Sequence, residues 1–177
     1  MDAKALLRSI TPAQLWSAAI RTRRRLNGGA KRSYSGHGED LLILSWLKHY
    51  NCDVSTIRYV DVGAAHPTEL SNTYLLYLHG ARGVLIEPDP DQAAILRAKR
   101  PRDTVVNAGV AFDDRRSGEL FRMSSRVFNT FSQHQAEFVM RSSEHWESRE
   151  RILDKLMVPL IPLNEIIAKE VPRRPRG

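Results

Sequence analysis

Tyr59-Val60-Asp61-Val62-Gly63-Ala64 and, further on, Gly83-Val84-Leu85-Ile86-Glu87-Pro88 are the two stretches that decide the fold. Each is a short apolar run that ends in a carboxylate and a turn residue, the pattern of a parallel strand buried on both faces. Between them, Ser71 to Leu78 has helical spacing. Strand, helix and strand make a βαβ unit, whose crossover is right-handed almost without exception. The fold class expected is therefore α/β, with a doubly wound, mostly parallel sheet. Ligands of such sheets bind outside the carboxyl ends of the strands, which here carry Asp61, Gly63 and Glu87. A carboxylate at the end of the second strand suits the two hydroxyls of a ribose, and a glycine at the first lets a nucleoside approach the backbone.

The turn after the first strand narrows the choice of nucleoside. A dinucleotide site needs G-x-G-x-x-G to bring a pyrophosphate onto a helix N-terminus. This chain has Gly63-Ala64-Ala65-His66-Pro67-Thr68 there, with one glycine and a proline. S-adenosylmethionine carries no phosphate and fits a turn with a single close approach. Asp61 then faces its ammonium or sulfonium region, and backbone amides near Ser71 and Asn72 receive its carboxylate. A third strand, Asp103 to Val110, brings Asn107 and Gly109 beside the adenine.

These segments, in this order, resemble the FkbM-type S-adenosylmethionine-dependent methyltransferases. The resemblance is carried by Ser35-Gly36-His37-Gly38-Glu39-Asp40, by Tyr59 to Pro67, and by Leu70-Ser71-Asn72-Thr73-Tyr74-Leu75. It continues through Gly80 to Pro88, Val106-Asn107-Ala108-Gly109-Val110, Phe128-Asn129-Thr130-Phe131-Ser132 and Ile161-Pro162-Leu163-Asn164-Glu165-Ile166, and covers residues 34–168. It implies a Rossmann-like methyltransferase fold and methyl transfer to a sugar or other small hydroxyl acceptor. By the same resemblance Asp61, Gly63 and Asn72 hold the amino-acid end of the cofactor, Glu87 the ribose, and Asn107 the adenine side. Two departures stand out. Gly36 replaces a glutamine-like residue, and the family's next strand, with an Asp-x-Glu-Gly-like motif, does not follow Ile166. The expectation is a domain incomplete on its C-terminal side, with an exposed edge on the first strand. A non-catalytic cofactor-binding or assembly module is the alternative, and a nicotinamide-dependent oxidoreductase a weaker third.

Composition bounds these readings. With 177 residues and 42% hydrophobic content the chain buries one sizeable core. Its net charge of +7 is confined to residues 1–33, which hold eight of the 27 basic and one of the 20 acidic residues. The balanced remainder has no basic stripe with interleaved aromatics, so nucleic acid is not an expected partner. The expected organisation is a basic helical arm and linker over 1–33, a methyltransferase-like domain over 34–170 and a basic tail over 171–177. The arm has a Thr11-x-x-Gln14 capping box and Trp16, and ends in Arg21 to Arg25 before Gly28-Gly29. Such a helix either packs on the domain or lies on an anionic membrane surface or acidic partner. A single cysteine, Cys52, and the lack of a spanning or signal-like apolar run make the cytoplasm the expected compartment.

Helices are expected from Gly38 to Tyr50, with an apolar face of Leu41, Leu42, Leu44, Trp46 and Leu47, and from Pro90 to Lys99, buried through Ile95 and Leu96. Arg97, Lys99, Arg100 and Arg102 read as a solvated helix end. Glu119 to Met123 alternates as an antiparallel strand. Met157 to Leu163 reads as an edge strand because of Pro159 and Pro162. The aromatics of Ser124 to Glu150 suit either a small core or a lid over the acceptor. Six histidines show no metal-ligand spacing, so no metal is expected. His66, in the turn after the first strand, is the one candidate for a catalytic base, against a loop-shaping role beside Pro67.

Overall fold

The structure is a computed structural model and describes residues 32–145 and 149–171. The expected Thr11 to Arg25 helix, Trp146 and the tail arginines lie outside the described residues. The described residues from Ser33 to Val171 form one compact α/β unit with a parallel sheet and a mixed sheet.

Helix α1 (Glu39–His49) opens it, followed by a short 3-10 turn (Val54–Thr56). Strand β1 (Arg58–Val62), helix α2 (Tyr74–Leu78), strand β2 (Arg82–Ile86), helix α3 (Pro90–Lys99) and strand β3 (Thr104–Val106) then complete two βαβ units. The strands pair in parallel in the order β1-β2-β3, with Asp61 level with Leu85 and Val62 with Ile86. Val84, Leu85 and Ile86 are 2%, 0% and 1% exposed, as a strand buried on both faces requires. Burying each such side chain is worth about 1.5–3 kcal/mol. On one face Leu85 packs against Ala64 and Leu96 of α3; on the other Val84 and Ile86 pack against Ile166 of helix α5 (Leu163–Glu170). Helices therefore cover both faces. Gly83 is required by packing, since a Cβ there would lie 2.0 Å from the Tyr59 ring.

The single strand expected over Asp103 to Val110 is two. β3 ends at Val106, and after Asn107 and Ala108 the chain enters β4 (Gly109–Ala111) of a second sheet. Strand β5 (Ser117–Met123) is the expected antiparallel strand and pairs with β6 (Ile152–Pro162). β6 is not the edge its prolines suggested. It pairs with β5 through Pro159 and with β4 only from Leu160, so each proline borders a stretch hydrogen-bonded on one side alone. Helix α4 (Gln133–Ser142) closes a small core of Phe121, Met123, Ala136 and Val139, which Phe128 joins; Phe131 and Phe138 lie outside it, about half-exposed.

Two helix faces differ from expectation. On α1 Leu44 is the one fully buried apolar residue, while Leu42 and Trp46 are 60% and 66% exposed. On α3 Ala93 and Leu96 are buried and Ile95 faces outward. Among the described residues no helix is long and apolar enough to cross a membrane, and no cluster of side chains could hold a metal ion.

Candidate functional site

The carboxyl ends of β1 and β2 meet at Gly63, whose amide donates to the Ile86 carbonyl at 2.9 Å. Gly63 has φ +74, which glycine adopts without strain, and a Cβ placed there would meet nothing within 4 Å. The space above it is a cavity of about 270 Å³ with an apolar wall that includes Val62, Ile86, Pro88, Ala108 and Phe131. A second cavity of about 400 Å³, edged by Arg115, Glu119 and Gln133, shares Val110, Phe112 and Phe131 with the first. Phe112 is 94% exposed between them. Beyond Gly63 the loop carries two non-glycine residues in the left-handed region, Ala65 (φ 45) and Leu70 (φ 56). Such strain, about 1–3 kcal/mol per residue, persists only where surrounding contacts over-determine it, and it concentrates at functional loops.

Asp61 and Glu87 occupy the same rim. Glu87 is 3% exposed, and its two carboxylate oxygens accept the amides of Ala65 and Asp89, each at 2.8 Å. Burial raises its pKa. The two amide bonds offset part of that, while the negative charges of Asp89 and Asp61 push the same way as burial. The carboxylate thus holds the Ala65 turn against the end of β2 and faces that turn rather than the cavity. Asp61 is half-buried, and its Oδ2 accepts the Thr73 hydroxyl at 2.6 Å.

The remaining expected residues do not all converge. Asn107 lies at the switch from one sheet to the other, where its amide donates to the carbonyls of Glu87 (2.8 Å) and Pro88 (3.0 Å) and so braces the β2 turn. Asn72 is exposed between buried Ser71 and Thr73. The Ser71 amide, one of those expected to receive a ligand carboxylate, donates instead to the Tyr34 carbonyl at 2.9 Å. His66 spends Nδ1 as acceptor for the amides of Glu69 (2.8 Å) and Thr68 (3.3 Å). This leaves the ring proton on Nε2, a donor, which suits shaping the loop and not abstracting a proton. Asp40 is buried at the start of α1. Its burial would raise its pKa, but bonds from the Tyr34 amide and the Ser33 and Ser35 hydroxyls hold it below the ordinary value. It anchors the Ser33 to Ser35 turn, which reaches the loop through Tyr34 and Ser71.

One residue was missed altogether. Arg100, read as part of a solvated helix end, is 0% exposed. Its guanidinium donates to Asp103 (2.8 Å), the Tyr59 hydroxyl (2.8 Å), Thr73 Oγ1 (3.1 Å) and Ser71 Oγ (3.3 Å). The rings of Tyr59, Tyr74 and Tyr77 surround it at 4.9–5.8 Å. Asp103, three residues on, was the one local signal; the aromatic box comes from two distant segments, β1 (Tyr59) and α2 (Tyr74 and Tyr77).

No protein-family profile matches this chain, and no curated protein or solved structure is significantly similar to it.

Proposed function

We propose that this chain is an S-adenosylmethionine-dependent methyltransferase of FkbM type, acting on a hydroxyl group of a sugar or other small acceptor. The observation that carries the reading is the bare Gly63 between two strand-end carboxylates on one rim, with an apolar slot above it. The finer architecture it implies is a doubly wound, Rossmann-like methyltransferase sheet.

Pro88 and Ala108, which line the slot, would hold the adenosyl group, and Asp61 would take the cofactor's ammonium. Glu87 would serve the ribose hydroxyls, which would exchange with the Ala65 amide that its Oε2 accepts at 2.8 Å. Asn107 serves the adenine side by fixing the turn around Pro88. Asn72 borders the amino-acid end. Bound there, the cofactor would supply a methyl group for transfer from its sulfonium sulfur to an acceptor oxygen, and Phe112, which lines both cavities, would border the acceptor side. Most of the acceleration would come from positioning the two reactants, and His66, whose Nδ1 is spent on the loop amides, is not needed as a strong base.

Calorimetry with S-adenosylmethionine and its demethylated product tests the reading. Binding in the micromolar range is expected for the wild-type chain. Gly63→Val, which fills the approach and strains a φ of +74, is expected to abolish it, and Glu87→Ala to weaken it strongly. A folded chain that binds neither compound, or that binds NADH more tightly, removes the proposal. A second reading, a cofactor-binding or assembly module without catalysis, is favoured by one feature: among the described residues β1 pairs with β2 alone, and Val62 at its end is 54% exposed. Tight binding with no methyl transfer to any glycan or small alcohol would select it.

A further inference from the structure

Thr73 lies between a buried cation and a rim carboxylate, and the chemistry of those neighbours dictates where its proton points. The Arg100 guanidinium carries only donors. Its Nη2 donates to Thr73 Oγ1 at 3.1 Å, so the hydroxyl can only accept on that side. The single hydroxyl proton is left for Asp61 Oδ2, at 2.6 Å, a length typical of a charge-assisted bond. The reverse arrangement, a protonated Asp61 donating to Thr73, would strand the threonine proton without an acceptor. Asp61 is thereby kept as an acceptor with one oxygen occupied. Its Oδ1 makes no hydrogen bond among the described residues. Because no side-chain oxygen or nitrogen is buried there without a partner, Oδ1 is open to solvent.

We propose that Thr73 is a positioning residue, locked by Arg100, that presents Asp61 Oδ1 as a one-sided acceptor for a ligand's primary ammonium group. The proposal rests on the cofactor reading above for the identity of that ligand, an adenosyl amino acid. It goes beyond that reading by assigning the selectivity for the amino-acid end to a hydroxyl that does not touch the ligand. Thr73 is 8% exposed and makes no side-chain cap bond to α2, so its hydroxyl is free of the helix-capping role its position suggests. Ser71 provides the contrast: its Oγ also accepts from Arg100, but it receives the Tyr74 amide as well and so is tied to the helix.

The test compares two nucleosides by calorimetry, S-adenosylhomocysteine and 5′-methylthioadenosine, which lacks the amino acid. Thr73→Val keeps the side-chain shape and leaves Arg100 its other partners. It is expected to weaken S-adenosylhomocysteine about tenfold or more, the scale of a lost charged hydrogen bond, and to leave 5′-methylthioadenosine within about twofold. Thr73→Ser restores the wild-type ratio. Equal weakening of both nucleosides, or of neither, overturns the positioning role. Without ligand, the Thr73 hydroxyl proton is expected as a slowly exchanging resonance that Thr73→Val abolishes; a rapidly exchanging hydroxyl overturns the lock. Should the wild-type chain bind neither nucleoside, the cofactor reading falls and takes the ammonium assignment with it, while the resonance still decides the lock.

Discussion

Two polar clusters flank the β2 strand, and they are built on opposite terms. Around Arg100 a single cation and Asp103 are both wholly buried, and the cation's neighbours are aromatic rings and hydroxyls. Beyond the carboxyl end of the strand, Asp89 is equally buried, yet the arginines that reach it, Arg126 (2.7 Å) and Arg122 (3.6 Å), remain partly in solvent. Arg122 is also bidentate to Asp154 and bonded to Asp91. The first cluster is buried and holds no second cation against Asp103, whose other partners, the Gly83 amide and the Tyr59 hydroxyl, are neutral donors at 2.8 Å. In the second, water and spare partners can replace what is lost. Taking one member from a buried pair leaves an uncompensated charge, whereas a wet network re-forms around the gap.

The largest effect should therefore come from Arg100→Met. It strands Asp103, and a loss of about 3–5 kcal/mol in urea denaturation is expected. Adding Asp103→Asn should return part of that loss, since the stranded charge goes too; a double variant no better than the single one would show that the aromatic box, not the ion pair, needs the guanidinium. Arg126→Ala should cost about 1 kcal/mol at low salt, because Asn129 still donates to Asp89 at 3.0 Å. Molar salt should shrink that difference and leave the Arg100 effect largely intact. A salt-sensitive Arg100 effect would erase the distinction between the clusters.

Glu87 lies between the two and gives the smallest, sharpest signature. Its native pKa is raised above the ordinary 4.5, chiefly by burial. Between these values the folded chain holds more protons than the unfolded one, so stability should fall as pH rises through that window. The contribution is fully favourable only below 4.5. Thermal melts of Glu87→Gln against wild type should lose that slope; a slope that survives belongs to another carboxylate.

The unequal legibility of the molecule follows the same division. β1, β2, α3 and the antiparallel β5 were readable, because apolar runs and capping residues act locally. The break of the third strand at Asn107 and the central place of β6 were not. Both depend on which neighbours pair along only part of a strand, and a proline tells of one missing N–H, not of which side lacks a partner. Glu87 and Asp61 were placed correctly at strand ends, but not that one would turn inward to hold Ala65 while the other kept an oxygen in solvent.

By itself the order of residues determined two βαβ units, the rim where a ligand would lie, and a net charge gathered in its first 33 residues. Only the tertiary structure decided that Arg100 is interior and wired through Thr73 to Asp61. The reason is physical: backbone periodicity is written in neighbouring residues, whereas the desolvation of a charge is set by side chains far along the chain. A basic residue looks the same in sequence whether water or three tyrosine rings surround it.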